Sequence, residues 1–177
     1  ILNCYFHEVL DGVSVFAVDF SDGGEIAYNR FERILDNAVE CENHAQNLRV
    51  HDNEVRDVFE PFSYQPQSGL PWPAGVWFYQ NVVTCSPAWT ELWRKPVVRW
   101  TPGCFKIKVP TYFTTPGRDG MVVWNNTLFF PSGDLFTLTA AAANAANFHF
   151  FNNIAVSRGL AGSVPSTELP NWELVRN

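Results

Sequence analysis

The part of the chain richest in groups that could do chemistry is HDNEVRDVFE, residues 51–60, which carries one histidine and four carboxylates. A histidine among carboxylates could bind a metal ion or act with them as a general acid and base. A calcium-binding loop, however, needs a glycine for its sharp turn, and this stretch has none. Opposite charges close together, as at Glu54, Arg56 and Asp57, are typical of a solvated surface. We therefore predict that residues 51–60 form a solvated face and not a metal or acid–base site.

The rest of the sequence holds no motif for catalysis. The histidines at 7, 44, 51 and 149 form neither H-x-H nor H-E-x-x-H, so a zinc hydrolase would lack its ligands. The G-x-S-x-G elbow and the phosphate loop G-x-x-x-x-G-K-[ST] are absent. Cys85, next to Ser86 at a predicted helix start, could be an activated thiol, but it also ends an apolar strand that needs an interior residue. The sequence predicts that the protein is not an enzyme and binds no cofactor or metal.

The cysteines and one possible glycosylation sequence do not decide in which cellular compartment the protein lies. The cysteines are far apart and form no C-x-x-C, which excludes a zinc ribbon, and they could be bridged or free. Asn125 begins an N-N-T triplet and is a possible glycosylation site. The chain starts at Ile1 rather than at methionine, which we interpret as a processing cut. The four thiols whose state stays open are Cys4, Cys41, Cys85 and Cys104.

Composition narrows the classes of partner. The 177 residues are 46% hydrophobic and 15% aromatic, which indicates one folded domain over residues 1–177. The net charge is −6, and no basic run is present, so sequence-specific binding to nucleic acid is not expected. No apolar stretch reaches the ~20 residues that a membrane-spanning helix needs. The sequence therefore predicts no nucleic-acid partner and no membrane span.

Short apolar runs separated by turn signals dominate the chain. VSVFAVDF (13–20) ends at SDGG, which predicts a hairpin, and VWFYQNVVT (76–84) reads as one buried strand. NRFERILDNAVECE (29–42) has an apolar stripe with helical spacing, and Ser86 and Pro87 begin a second, short helix. Residues 60–75 are rich in proline and predict a long surface loop. The sequence thus predicts an all-β fold, an antiparallel β-sandwich resembling a jelly roll, with one or two short helices.

Two further groups of residues are candidates for binding. In CFKIKVPTYFTTPG (104–117), Lys106 and Lys108 alternate with apolar residues, and we interpret them as the solvated side of a strand. The seven tryptophans lie mostly among apolar neighbours, which indicates core packing. Trp72 lies in the proline-rich segment, so Trp72 and Tyr64 are the best candidates for contacts with a glycan.

FKIKVPTYFTTPG and NFHFFNNIAVSRG resemble the last strands of the jelly-roll capsid proteins of picorna-like viruses, a resemblance covering about residues 75–160. The resemblance implies a structural coat subunit in the virion, released from a polyprotein, that assembles with copies of itself and with sister subunits. A host receptor or a glycan would be a further partner. The segment of about residues 159–177 would be an extended tail, whose apolar side chains would contact neighbouring subunits. These side chains are Leu169, Trp172 and Leu174.

Two other classes of function fit the same observations. The first alternative is a secreted, extracellular β-sandwich module that binds carbohydrate. The second is a β-sandwich enzyme that acts on polysaccharide, with carboxylates such as Glu8, Asp19 and Glu25 on strand faces. Paired glycosidase carboxylates lie about 5–10 Å apart, and only a structure gives such a separation.

Overall fold

The computed structural model describes residues 1–65, 74–93, 102–107, 120–138, 148–161 and 172–174. Within these ranges all strand pairs are parallel, and the chain forms a β-solenoid. The single described helix is α1 (Pro87–Trp93). The strands are β1 (Tyr5–His7), β2 (Val13–Ala27), β3 (Arg30–Glu32), β4 (Val39–His51), β5 (Glu54–Arg56), β6 (Phe62–Gln65), β7 (Ala74–Tyr79), β8 (Val82–Thr84), β9 (Gly103–Ile107), β10 (Met121–Trp124), β11 (Thr127–Leu138), β12 (Phe148–Phe151), β13 (Ile154–Ala161) and β14 (Trp172–Leu174).

Each coil of the solenoid contributes one strand segment to each of three faces. The first face stacks β1, β3, β5, β8 and the beginnings of β11 and β13. The second face stacks the beginnings of β2 and β4, then β6, β9 and the ends of β11 and β13. The third face stacks the ends of β2 and β4, then β7, β10, β12 and β14. The long strands β2, β4, β11 and β13 each bend from one face to the next.

The core is built from columns of apolar side chains, one residue from each coil. On the third face Ile26, Val50, Phe78 and Val123 lie in register, and all four are buried. The second face adds a column of three buried phenylalanines, Phe62, Phe105 and Phe136, in the same way. Stacked strands are about 4.8 Å apart, so each side chain covers the one before it, and apolar burial continues from coil to coil.

The predicted antiparallel, jelly-roll-like sandwich is therefore wrong, although the all-β class is confirmed. The predicted hairpin SDGG lies inside β2, at the corner between the second and third faces, and Gly23 has a positive φ of 77° there. PSGD lies inside β11, where the pairing register shifts between Phe130 and Asp134. A solenoid corner needs the same turn-forming residues as a hairpin, so these local signals did not distinguish the two.

The predicted helix over residues 29–42 is also wrong, because this segment forms β3 and the beginning of β4. Most of its apolar stripe is buried, including Phe31 on β3, Ile34 in the connection between the two strands and Cys41 on β4, whereas Leu35 is exposed. The short helix is confirmed. Its cap is also as predicted, since the Ser86 hydroxyl accepts a hydrogen bond of 3.3 Å from the Trp89 amide.

Two other predicted segments also differ from the structure. VWFYQNVVT is split at Gln80 and Asn81 into β7 on the third face and β8 on the first. Part of the predicted surface loop, residues 62–65, is the strand β6 and is largely buried, whereas residues 66–73 lie outside the described ranges. None of the described helices is long and apolar enough to cross a membrane.

Candidate functional site

A stack of asparagines, buried except at its Asn153 end, fixes the corner between the third and first faces. In each coil a residue with positive φ precedes the asparagine, as Gln80 (φ 55°) precedes Asn81. The asparagine carboxamides bond to one another and to the backbone of adjacent coils, so the corner has the same shape in successive coils. The ladder consists of Asn29, Asn53, Asn81, Asn126 and Asn153.

Asn81 shows how completely these groups are satisfied. Its Nδ2 donates to Val50 O at 2.9 Å and to Asn126 Oδ1 at 3.0 Å. Its Oδ1 accepts from the amide and from the Nδ2 of Asn53, at 3.2 and 3.0 Å. Both donors and both acceptor positions of the side chain are used, which holds three successive coils at a fixed distance.

The ladder is a repeat that the sequence reasoning missed. Successive ladder residues are separated by 24, 28, 45 and 27 positions. The long interval contains α1, so an insertion hides the period. The available signal was an asparagine after the third-face strand and before the next apolar strand, as in DNEV (52–55), QNVV (80–83) and NNTL (125–128).

A second stack, of aromatic rings, runs along the third face beside the ladder. The His51 and Tyr79 rings stack at 4.5 Å, and the Tyr79 and Trp124 rings stack at 4.4 Å. Phe151 continues the row, nearly parallel to Trp124 with the ring centroids at 6.2 Å. The faces of the central rings are thus turned toward each other, so only ring edges of Tyr79 point away from the stack.

His51 is held between two carboxylates. Its Nε2 lies 2.8 Å from Glu25 Oε1, and its Nδ1 lies 2.7 Å from Asp52 Oδ2. The ring is only 6% exposed, and the Tyr28 ring meets it edge-on. Both ring nitrogens are occupied, and the imidazole fills the space between the two acids. His51 is thus a fixed polar centre on the third face.

Arg49 and Trp77 lie side by side next to this centre. They are register partners on β4 and β7, and Glu25 is the register partner of Arg49 on its other side. Arg49 is exposed, and no ion pair involves it among the described residues. The far edge of the Trp77 indole lies over Gly75, where a Cβ atom would come within 2.7 Å of Cη2. The indole therefore leans along its strand, half-buried, and no other ring of the described chain stacks on it.

Lys106 is not on a solvated side of its strand as predicted. It is 4% exposed, because every residue of β9 is buried. Its Nζ donates to Asn37 Oδ1 at 3.1 Å and lies 3.4 Å from Asp36 Oδ1 and 3.6 Å from Glu60 Oε2. The buried lysine thus connects β9 to residues of two other coils. Its charge is compensated by the buried Glu60 and the partly buried Asp36, so it is not available for an anionic ligand.

Burial shifts the pKa values of titratable groups near the solenoid interior. Desolvation raises the pKa of Asp36, and the nearby Lys106 only partly opposes this rise. Burial likewise raises the pKa of Cys41 and of Cys104. All four cysteines are free thiols, and only Cys4 among them is exposed. The activated-thiol reading of Cys85 loses support, since Cys85 is buried.

The predicted glycan contacts are not brought together. Tyr64 is 2% exposed, and its ring packs edge-on against Phe148, so it cannot contact a glycan. Trp72 lies outside the described residues. Asn125 is exposed at a ladder corner and accepts a hydrogen bond from Asn152, so its glycosylation stays a prediction.

The tail residues that were predicted to contact other subunits, and the carboxylates that were predicted for a polysaccharide-acting enzyme, do not form one site among the described residues. Trp172 and Leu174 belong to β14, which pairs with β12 of the same chain, and Leu169 lies outside the described residues. Glu8 follows β1 of the first face and pairs with Arg33, whereas Glu25 lies on the third-face part of β2. The side chain of Asp19 is likewise outside the described part.

Sequence reasoning did not identify Arg49 and Trp77 as a site, because the parallel register that places them together was not expected. Within the described ranges, no group of three or more histidine, cysteine or acidic side chains could hold a metal ion. Searches of protein-family models, of curated proteins and of solved structures gave no match to this chain.

Proposed function

We propose that the chain binds a neutral carbohydrate polymer along its third face, with Arg49 and Trp77 as the main contacts. The observation that carries this proposal is the pairing of an exposed guanidinium with an indole that no other described ring covers. Indole and guanidinium groups are the side chains that most often dominate binding energy at interfaces. An indole offers an apolar face to a sugar ring, and a guanidinium donates to its hydroxyl groups.

The shape of the third face suits a long ligand. Parallel strands present their outward side chains in straight rows about 4.8 Å apart, and stacked repeats form extended binding surfaces. The stacked rings of Tyr79 and Trp124 offer their edges to such a ligand, whereas no other described ring stacks on Trp77. The net charge of −6 disfavours polyanions, which is why we propose a neutral polymer.

Binding is favoured over hydrolysis at this site. Glycosidases keep the space between their two carboxylates open for the sugar or for a water molecule. On the third face the carboxylates of Glu25 and Asp52 both bond to His51, so the imidazole occupies that space. The carbohydrate-binding alternative therefore gains support, now on a solenoid instead of a sandwich. The coat-subunit hypothesis loses its basis, since it depended on a jelly roll.

The test is affinity electrophoresis and calorimetry of the purified chain against neutral polysaccharides, with polyuronates as the acidic comparison. Trp77→Ala and Arg49→Ala should each weaken binding about tenfold, which corresponds to ~1.4 kcal/mol. The matched controls are Phe129→Ala and Arg56→Ala, which remove an exposed aromatic and an exposed arginine from the first face.

Two results would refute the proposal. One is that the unaltered chain binds none of the neutral polymers. The other is that Trp77→Ala and Phe129→Ala weaken binding equally, since binding would then not depend on the third face.

A further inference from the structure

The outward side of the first face is two side chains wide. Each strand segment of this face has a middle residue that points to the interior, and Phe31, Val55 and Val83 in this position are buried. The residues before and after the middle residue point outward, because successive side chains of a strand alternate between its two sides. The parallel register stacks these outward residues in two columns. From β3 to β13, the first column is Arg30, Glu54, Val82, Thr127 and Ile154, and the second column is Glu32, Arg56, Thr84, Phe129 and Val156.

Opposite charges alternate at one end of these columns. β3 carries Arg30 in the first column and Glu32 in the second, whereas β5 carries Glu54 in the first and Arg56 in the second. Arg30 and Glu32 bond to each other at 2.9 Å. Glu54 and Arg56 are exposed, and their side chains form no ion pair or hydrogen bond with another residue of the described chain. Two opposite charges on β5 are thus available to a partner.

The other end of the columns is apolar. Four large apolar side chains of β8, β11 and β13 are exposed there, and only two threonines lie among them. A continuous group of exposed apolar side chains marks a surface that binds another molecule. A partner of the first face must therefore be apolar at one end and carry both charges at the other. The four exposed side chains are Val82, Phe129, Ile154 and Val156.

We propose that the first face binds the first face of a second copy of this chain, about a two-fold axis that lies between the two sheets and runs parallel to the solenoid axis over the middle residues. This rotation keeps each coil opposite the same coil and reverses the strand direction. First-column residues of each copy therefore lie opposite second-column residues of the other. Glu54 of each copy faces Arg56 of the other, and Arg30 faces Glu32. Such an interface is isologous, so it closes after two copies.

Both ends of the columns fit this arrangement. Packed sheets are about 10 Å apart, and arginine and glutamate side chains that reach across from opposite sheets can meet in that space. At the apolar end Ile154 lies opposite Val156, and Val82 lies opposite Thr84, so apolar surface is removed from water on both copies. Each strand segment carries its own complement, and a second copy therefore matches the charges and the apolar end together. The third face of each copy stays open.

The charges also disfavour other arrangements of the two copies. A slip by one coil places Arg30 opposite Arg56 and Glu32 opposite Glu54, and like charges in contact destabilise an interface. A two-fold axis parallel to the strands reverses the order of the coils. It places the charges of β3 and β5 opposite the residues of β13 and β11, which leaves them buried without a partner of opposite sign. Of these arrangements, only the axis parallel to the solenoid sets charge against opposite charge.

The test is sedimentation equilibrium of the chain over a range of concentrations, with charge reversals on β5. Glu54→Arg and Arg56→Glu each give β5 two like charges, so each should weaken dimerisation at least tenfold. The matched control is Arg49→Glu, which reverses an exposed arginine of the third face and should leave dimerisation unchanged. Circular dichroism checks that each variant is folded.

A mixture of the two reversed chains tests which residues face each other. Glu54→Arg chains carry two arginines on β5, and Arg56→Glu chains carry two glutamates, so the mixture should form heterodimers about as tightly as the unaltered chain forms its dimer. The double variant Glu54→Arg/Arg56→Glu should also recover the dimer, since opposite charges again face each other. A chain that stays monomeric up to about 1 mM would overturn the proposal. So would a dimer that Arg49→Glu weakens as much as the β5 reversals do, or a mixture that associates no better than either variant alone.

Discussion

Replacing Asn81 by alanine should be among the most damaging single changes to this protein. Asn81 is fully buried in the middle of the ladder, and its side chain takes part in four hydrogen bonds. The substitution removes all four and leaves the Asn53 amide and the Val50 carbonyl without these partners. No water reaches either group easily, because Asn53 and Val50 are buried as well.

The size of the effect follows from the count of bonds. A typical internal hydrogen bond contributes about 1 kcal/mol net, and a buried group left unsatisfied costs about 1–3 kcal/mol. We therefore expect Asn81→Ala to lower the free energy of unfolding by about 3–5 kcal/mol. Domains are commonly stable by only about 5–15 kcal/mol, so the loss would be a large part of the total.

Urea unfolding followed by circular dichroism measures this loss, with the m-value as a check on two-state behaviour. The matched comparison is Asn153→Ala, at the partly exposed end of the ladder, where water can replace the lost bonds and about 1–2 kcal/mol is expected. A loss below about 1 kcal/mol for Asn81→Ala, or equal losses for the two variants, would refute the view that the ladder holds the coils together.

Four further outcomes are expected. Lys106→Met should destabilise the fold by about 3–5 kcal/mol in urea unfolding, because it removes the cation that lies 3.6 Å from the buried Glu60 carboxylate, and adding Glu60→Gln should restore much of the loss. The raised pKa of Asp36 means that its protonated form favours folding below the unfolded-state pKa and that this advantage is lost as pH rises through the folded-state pKa. The unfolding free energy of Asp36→Asn should therefore rise relative to that of the unaltered chain between about pH 3 and pH 7, and a constant difference would contradict the burial argument. Gly103→Ala should cost about 1–3 kcal/mol, since its Cβ would lie 2.8 Å from a backbone nitrogen of β11, and a neutral result would contradict this close approach. A thiol reagent should label Cys4 rapidly in the native protein and the other three cysteines only after unfolding, as counted by intact mass.

Part of the candidate site could have been derived from the sequence. Alternating apolar residues with aromatic and β-branched side chains predicted strands, and the strands are present. The asparagine after each third-face strand was visible in the sequence, but the insertion containing α1 lengthened one interval to 45 residues and hid the repeat. The neighbours Arg49 and Trp77 are 28 positions apart, and no local pattern connects them.

Lys106 and Tyr64 show where local reasoning fails. Lysine in an alternating strand is normally solvated, but β9 is buried on both sides, and Asp36 and Glu60 come from two other coils to neutralise the charge. Tyr64 lies within the stretch predicted to be a surface loop, residues 60–75, yet it is on β6 with its ring against Phe148. In both cases the deciding contacts join residues that are far apart in the chain.

The sequence by itself determined that the chain is all-β, that the short helix begins after Ser86, and that residues such as Phe31 and Ile34 are interior. These properties depend on local propensity and on hydrophobicity, which neighbouring residues fix. Only the tertiary structure decided that the strands are parallel, that the turns are solenoid corners, and that Arg49 lies beside Trp77. The physical reason is that a corner and a hairpin use the same residues, and the choice between them comes from hydrogen bonds between coils, such as those of Asn81 with Asn53 and Asn126.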